Sequence, residues 1–313
     1  KDQIISVTSA PQSGYSTRKM NAGLIRNRGV ELSLGGMPVS TKNWKWEMNF
    51  NIAKNSNKLV ELADGVDSYS IYWTSFTTRL YNYAMVGKSL GVITGNTWER
   101  DDNGNIIFHE LSASQKALYG GEYVPTYNQN TLDELGNFHP DFTGGFNTSI
   151  SFKNFRLSAN IDFSVGGQIV SYTNMWGSSS GILDKTAELN DRGVNVREPV
   201  SKGGGIHMTG VDQDGNKVDT YVNAKLYYTT ASRVWEEWVY DRTYVKLREV
   251  SLSYVFPSQT LKKLNIGLSR ASVAINASNP WLIYSACPNV DVAEIGMGYF
   301  EGGNAAATRS IGF

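Results

Sequence analysis

The sequence predicts an all-β protein, a segment of an antiparallel transmembrane β-barrel with long loops on one side of the membrane. Three observations support this fold class. Apolar and polar residues alternate with a period of two, short and long connections alternate along the chain, and aromatic residues concentrate at the segment ends. The 313 residues include 29 acidic and 29 basic side chains, so no net charge favours a nucleic-acid partner. No run of about 18 apolar residues occurs, so a spanning helix is not predicted.

The stretch at residues 155–165 shows the alternation most clearly. Every second residue from Phe155 is apolar, and the residues between them are polar. The preceding stretch "DFTGGFNTSISF" alternates in the same way, and only Lys153 and Asn154 connect the two. We therefore expect a hairpin with two matched arms of about ten residues each.

Four further stretches follow the same pattern and predict strands. They are "GVELSLGGM" (29–37), "WKWEMNFNI" (44–52), "TYVKLREVSLSYVFP" (243–257) and "LNIGLSRASVAINAS" (264–278). In the last two the apolar phase slips by one residue, near 247–250 and near 268–271, and each slip predicts a β-bulge. The final "TRSIGF" predicts the beginning of a seventh strand, and "ELSASQKALYG" (110–120) predicts the one helix, capped by Ser112.

The connections between these arms are alternately short and long. Short turns are expected at 38–43, 153–154 and 257–263, and long connections at 55–141, 174–241 and 284–307. Outer-membrane barrels have short periplasmic turns and long extracellular loops, so the long connections are expected to be extracellular. Bacterial barrels also have an even number of strands, at least eight, so six complete arms and one partial arm indicate the last third of a larger barrel.

The alternation by itself also fits a soluble β-sandwich, in which the apolar face is covered by a second sheet. In a membrane barrel that face contacts lipid, and the polar face lines an aqueous lumen. Side chains on the polar face are therefore candidates for lining the lumen. These candidates are Glu47, Asn49, Arg156, Asn160 and Asp162.

Aromatic residues in the long connections are candidates for contact with a substrate or a partner. They are Tyr72, Trp73, Trp176, Tyr227, Tyr228, Trp235 and Trp238, with Tyr69 and Phe76 close to the first two. Flat aromatic faces beside polar groups suit sugar rings, which are apolar on one face and carry hydroxyl groups at the rim. Packing of the long loops on themselves or on a partner explains the same residues equally well.

No group of residues predicts catalysis, a metal site or a cofactor. The stretches at 100–108, with Asn-Gly, and 211–219, with Asp-Gly, fit tight hairpins better than calcium loops, because the spaced Glu of such a loop is absent. The three histidines lack ligand spacing, and Glu236 and Glu237 are sequence neighbours on opposite faces of an extended chain. Cys287 has no base near it in sequence, so the chain is not expected to be an enzyme.

Several blocks of the sequence resemble the signature blocks of the SusC/RagA family of TonB-linked outer-membrane transporters. In chain order they are "NAGLIRNRGVELSL", "GKSLGVITG", "HPDFTGGFNTSISFKNFRLSANIDFSVGGQIV", "RTYVKLREVSLSYVFP" and "ASNPWLIY". The C-terminal "NAAATRSIGF" departs from the family, since it keeps Arg309 but has alanines where a Tyr-Pro pair is usual.

This resemblance implies a twenty-two-stranded barrel with an N-terminal plug domain, which is not expected within this chain. It also implies a TonB box upstream, a SusD-type lipoprotein partner, a glycan or peptide substrate and the outer membrane of a Bacteroidetes-type Gram-negative cell. The predicted function is TonB-dependent import of nutrients, with oligosaccharides as the expected cargo and this chain forming barrel wall and external loops. The alternative is a soluble or surface-attached β-rich carbohydrate-binding module that uses the same aromatic loops.

Overall fold

The computed structural model describes residues 4–8, 12, 14–15, 17–21, 23–63, 66–74, 78–264, 267–295, 300–303 and 307–313. The strands are β1 (Ile4–Thr8), β2 (Thr17–Asn21), β3 (Gly23–Ser40), β4 (Trp44–Leu62), β5 (Ser68–Thr74), β6 (Leu80–Met85), β7 (Val92–Gly95), β8 (Phe108–Glu110), β9 (Tyr123–Pro125), β10 (Asp133–Asn137), β11 (Phe142–Phe152), β12 (Phe155–Val165), β13 (Gln168–Ser171), β14 (Ile206–Val211), β15 (Lys217–Val222), β16 (Val239–Asp241), β17 (Tyr244–Val255), β18 (Ser272–Ser285), β19 (Phe300–Glu301) and β20 (Ser310–Gly312).

The helices are α1 (Ala113–Tyr119), α2 (Tyr172–Ser179), α3 (Ala224–Ala231) and α4 (Ser258–Leu264), with 3₁₀ turns at Asp184–Ala187, Val200–Lys202, Trp235–Trp238 and Val292–Glu294. Within the described part of the chain, no helix is long and apolar enough to cross a membrane.

One antiparallel sheet of seven strands contains all the predicted arms. Its order is β20-β18-β17-β12-β11-β4-β3, so each strand pairs with the sheet strand that precedes or follows it in the chain. The six complete arms and the partial seventh arm are therefore confirmed. β3 and β4 run further than predicted, to 18 and 19 residues, and residues 53–62 pair with 23–31 beyond the last clear alternation.

The predicted hairpin is formed by β11 and β12. All eleven residue pairs are in register, from Phe142 opposite Val165 to Phe152 opposite Phe155. Lys153 adopts a left-handed φ of 52°, which closes the two-residue turn. This hairpin places Asn147 opposite Asn160 on the polar face, so the register brings polar groups from different strands together.

One of the two predicted bulges is present. Asn160 pairs with Glu249 whereas Ile161 pairs with Leu247, so Arg248 is the extra residue of β17. The slip near 268–271 is not a bulge, because the strand begins only at Ser272. The two irregularities of β18 fall instead between its residues Ser278 and Trp281 and between Leu282 and Tyr284.

The helices were predicted only in part. α1 has the expected cap, since Ser112 and Gln115 form a reciprocal capping box, and Gly120 ends the helix with a φ of 73°. The other three helices were not predicted, because segments of seven or eight residues are too short to show a helical period. α4 occupies the turn expected at 257–263. Leu268 therefore lies before the next strand, β18.

The apolar face of the large sheet is open. The Phe155 side chain is 51 % exposed and that of Leu157 is 46 % exposed, whereas Ile161 and Phe163 are half-buried by neighbours in the same sheet. No second layer covers Phe155 or Leu157 among the residues that the structure describes. A sandwich requires such a layer, so this face does not support the soluble alternative.

The three long connections leave the sheet at the same end and share one hydrophobic core. The buried members of this loop core are Leu80, Ile93, Trp98, Val170, Met175, Val196, Ala224, Tyr228, Ala231, Val234, Trp235, Trp238 and Phe300. They belong to all three connections, so the loops form one folded unit, which we call the cap. Small sheets such as β10-β7-β6-β5 and β16-β13-β19 satisfy the backbone hydrogen bonds within it.

The sheet is closely packed around Gly144 of β11. A Cβ at this position would lie well inside 3.0 Å of the Asn51 carbonyl oxygen and the Phe163 ring. We expect Gly144→Ala to destabilise the full-length protein by about 1–3 kcal/mol, as overpacking does, measured by urea unfolding in detergent. Gly36→Ala is the control, since nothing lies within 4 Å of its Cβ, and equal losses for the two variants would contradict the packing.

Candidate functional site

Four of the five predicted lumen residues lie together on the polar face of the sheet. Glu47, Asn49, Arg156 and Asn160 line a shallow cavity of about 380 Å³. The other polar residues that line it are Asn147, Thr148, Ser149, Ser158 and Glu249. Residue pairing explains the arrangement, because Asn49, Asn147, Asn160 and Glu249 occupy one row across four adjacent strands.

The charges of this polar face are paired but exposed. Glu47 lies 2.6 Å from the Lys45 ammonium and 3.5 Å from the Arg156 guanidinium. Exposed pairs of this kind contribute little to stability, since water competes with them. The face is therefore a solvent-exposed surface that carries amide, hydroxyl and charged groups.

Asp162 belongs to a different group at the cap end of the sheet. Its carboxylate accepts two hydrogen bonds from Arg248, at 2.8 and 2.9 Å, and one from the Tyr244 hydroxyl at 3.2 Å. Arg248 also pairs with Glu294 of the third connection. The bulge thus aims Arg248 at partners on both the wall and the cap.

A second cavity, of about 530 Å³, lies between the three connections, and we call it the aromatic pocket. Its lining residues are Tyr72, Thr74, Tyr172, Thr173, Trp176, Gly177, Ser180, Ile182, Leu183, Gly302 and Gly303. None of these residues is acidic or basic, and burial raises the pKa of Tyr172 to about 12, so its hydroxyl is neutral. The pocket can therefore offer ring faces, aliphatic surface, hydroxyl groups and backbone amides to a neutral ligand.

Two of the predicted aromatic residues line this pocket. Tyr72 comes from β5 of the first connection, and Trp176, which is 42 % exposed, comes from α2 of the second. Trp73 is also exposed but follows Tyr72 on an extended strand, and its ring stacks on Tyr81 at 6.4 Å. Phe76 lies outside the described residues.

The other four predicted aromatic residues pack inside the cap. The Trp235 side chain is fully buried, and the buried indole of Trp238 donates a hydrogen bond to the Ala231 carbonyl at 2.7 Å. The hydroxyl groups of Tyr227 and Tyr228 donate to Glu237 and to the Lys185 carbonyl. In this structure these four residues pack within the loop core, where Tyr227 is half-buried and the other three are buried.

The sequence did not indicate several residues that complete these two sites. The pocket residues Tyr172, Ile182 and Leu183 belong to connections whose pattern is irregular, so no periodic signal marks them. Asn147 and Ser149 could have been found, because the hairpin register follows directly from its two-residue turn.

The motifs that resembled calcium loops are hairpin turns. Asp212 joins β14 to β15, and its carboxylate accepts hydrogen bonds from the backbone N–H groups of Asp214 and Asn216 at 2.9 and 2.8 Å. Asp101 does the same for Asn103 and Asn105. Both predicted hairpin turns are therefore confirmed.

Cys287 is buried in the third connection. Its thiol has a pKa raised by burial to about 12, so it is neutral at ordinary pH. A neutral buried thiol is a poor nucleophile, which fits a structural role.

Comparison with known proteins agrees with the predicted resemblance to TonB-linked transporters. No protein-family model matches the chain. TonB-dependent receptor P3 of Formosa agariphila is 27% identical over 287 residues, covering 89% of this chain and 26% of the receptor. TonB-dependent receptor SusC of Bacteroides thetaiotaomicron is 38% identical over 178 residues, covering 54% of this chain and 17% of SusC.

A solved structure of the RagAB peptide importer in its closed-closed state matches with a TM-score of 0.66 and 18% identity, over 99% of this chain and 31% of that one. The chain is similar to SusC/RagA-type TonB-dependent receptors in sequence, and to the RagAB importer in fold. The predicted resemblance and the predicted fold class, an antiparallel barrel segment with long loops, are both confirmed. The chain spans 26% to 30% of the length of three TonB-dependent receptors that it matches.

Trp235 is buried and Trp176 is exposed, so their replacement by alanine should destabilise the protein to different extents. We expect Trp235→Ala to destabilise the cap by roughly 3–5 kcal/mol, because a large buried ring is replaced by a cavity. Trp176→Ala should cost about 0.5 kcal/mol, as expected for an exposed side chain. Limited proteolysis of the full-length receptor in detergent measures this difference. Equal protease sensitivity of the two variants would contradict the burial.

The two faces of β12 predict opposite responses to charge. Ile161 lies near the middle of the strand on the apolar face, and its neighbour Asn160 lies on the polar face. We expect Ile161→Arg to cost roughly 2–4 kcal/mol in a bilayer, and the matched variant Asn160→Arg to cost much less. Urea unfolding of the full-length receptor in lipid vesicles compares them. A larger loss for Asn160→Arg would reverse the assignment of the faces.

Proposed function

We propose that the full-length receptor imports neutral oligosaccharides across the outer membrane of a Gram-negative cell in a TonB-dependent manner. This chain contributes barrel wall and three extracellular connections, between β4 and β11, between β12 and β17 and between β18 and β20. The observation that carries the proposal is the aromatic, uncharged pocket in the cap, which lies beyond the end of a polar wall.

The chemistry of the pocket supports a sugar ligand. Its volume is within the range of small-molecule sites, roughly 300–1,000 Å³. The rings of Tyr72 and Trp176 can cover the C–H face of a sugar, and the hydroxyl groups of Thr74, Thr173 and Ser180 can bond its rim. A charged group would lose its hydration in this pocket without finding an ion partner in the lining, which favours a neutral cargo.

The polar face of the sheet supports passage after capture. Its row of asparagines offers both donors and acceptors to a hydroxylated solute, and its ion pairs are exposed and weak. A solute can therefore exchange one hydrogen bond for another without being held tightly. The apolar outer face supports the position of this wall in the outer membrane.

The partners follow from the same proposal. A SusD-type lipoprotein would cover the cap, and TonB would act through the plug region that lies outside this chain. The exposed apolar side chains of Ile182 and Leu189 on the second connection support contact with a partner surface.

Peptide import is the second candidate, because the fold matches the RagAB peptide importer. An apolar side chain of a peptide could also enter a pocket lined by Ile182 and Leu183. The absence of charge from the pocket lining gives no partner for a peptide terminus, and for this reason the oligosaccharide is preferred.

The test is uptake by cells that carry the full-length receptor as wild type or as the double variant Tyr72→Ala, Trp176→Ala. Labelled cellohexaose, xylohexaose, mannohexaose and maltohexaose form the sugar panel, and neutral hexapeptides form the second panel. We expect TonB-dependent uptake of at least one sugar and a loss of about tenfold or more in the double variant, equivalent to about 1.4 kcal/mol.

Trp73→Ala is the matched control, because its ring is exposed on the same strand but does not line the pocket. It should leave uptake unchanged. Uptake of peptides but of none of the sugars would reject the oligosaccharide, and uptake that persists without TonB would reject the transport mechanism.

A further inference from the structure

Glu301 is a buried carboxylate that joins two of the connections beside the aromatic pocket. Its side chain is 3 % exposed and is absent from the pocket lining. No ion pair involves Glu301 among the residues that the structure describes. A buried carboxylate without a cation depends on hydrogen-bond donors, since the loss of hydration must be offset.

Four donors surround this carboxylate, and each oxygen receives two. Oε2 accepts from the Ser171 hydroxyl at 2.6 Å and from the Thr173 backbone N–H at 3.1 Å. Oε1 accepts from the Thr173 hydroxyl and from the Gly303 backbone N–H, the latter at 2.8 Å. We call this set of bonds the Glu301 clamp.

The clamp fixes the beginning of α2. Ser171 is the N-cap of this helix and also accepts a hydrogen bond from the Asn174 backbone N–H at 3.1 Å. Its hydroxyl hydrogen is therefore directed to Glu301 while its oxygen caps the helix. α2 carries Tyr172, Thr173 and Trp176 into the pocket, so the position of these groups depends on the clamp.

The clamp also fixes the third connection on the opposite side. β19 pairs in parallel with β13, with Ser171 opposite Glu301, and the preceding Phe300 is buried. The Phe300 ring lies 5.4 Å from the ring of Tyr72 and 6.3 Å from the ring of Tyr172. Gly303, which follows the clamp, adopts a φ of 68° and lines the pocket.

We propose that Glu301 is the positioning residue of the aromatic pocket, which it assembles by holding α2 and the third connection together. Ligand affinity then depends on Glu301 although this residue does not touch the ligand. The statement about affinity rests on the proposed oligosaccharide function, whereas the clamp itself can be tested without a ligand.

Glu301→Gln is the sharpest substitution. Each carboxylate oxygen faces one backbone N–H group, and a backbone N–H can only donate. A glutamine amide therefore places its NH₂ group against a donor in either orientation, and one backbone bond is lost. Glu198→Gln is the matched control, because Glu198 is exposed on the second connection and outside the pocket.

Hydrogen–deuterium exchange of the full-length receptor in detergent measures directly how firmly the Glu301 clamp holds its two segments. We expect Glu301→Gln to raise the exchange rate of peptides that cover 171–176 and 300–303 by about tenfold or more, with the barrel strands unchanged. Ser171→Ala, which removes one of the four donors, should give a smaller increase in the same peptides and serves if Glu301→Gln does not fold. Unchanged exchange at these two segments would overturn the clamp.

Calorimetry with the same four hexasaccharides measures the effect of the clamp on ligand affinity. For any sugar that the wild type binds, we expect Glu301→Gln to raise Kd by about tenfold and Glu198→Gln to leave it unchanged. Unchanged affinity together with raised exchange would overturn the positioning role. If the wild type binds none of the sugars, the oligosaccharide function fails, while the exchange experiment still decides on the clamp.

Discussion

The pairing of backbone hydrogen bonds between neighbouring strands is the constraint on which this structure depends. A bilayer offers no water to a peptide group, so each strand that crosses it must be paired on both sides. In the seven-stranded sheet the five inner strands have a neighbour on both sides, because strands pair in chain order, and β11 and β12 are matched over all eleven residues. Once the pairing is set, every side chain is assigned to lipid or to the lumen.

The same constraint determines where the loops lie and how they fold. Strands that pair in chain order place every second connection at the same end of the sheet, so the three long connections meet there. They are long enough to bury apolar side chains against one another, and Trp235 and Trp238 become the centre of a core that no single loop could form. The aromatic pocket is the space that this shared packing leaves between the connections.

The accuracy of the sequence predictions follows the range of the interactions involved. The hairpin, the turn at Asp212 and the cap of α1 depend on residues close in sequence, and all three were predicted. The phase slip at Arg248 was a true bulge, but the slip near Leu268 reflected a turn before the strand. Trp176 and Trp235 could not be distinguished, because their exposure depends on contacts between separate connections.

The third connection is attached to the sheet through ion pairs around the buried Lys246, and to the second connection through the buried Glu301 carboxylate. At the first attachment, Lys246 is 2 % exposed and donates to Asp291 and Glu294, at 2.6 and 2.9 Å, and Glu294 also pairs with Arg248. At the second, Glu301 binds α2. Removal of one partner from such a buried group lowers the stability of the folded protein by several kcal/mol, because the remaining charge has neither water nor a partner. The connection is therefore fixed both to the lumen wall and to the pocket, and this double attachment sets the position of the aromatic pocket relative to the polar wall below it.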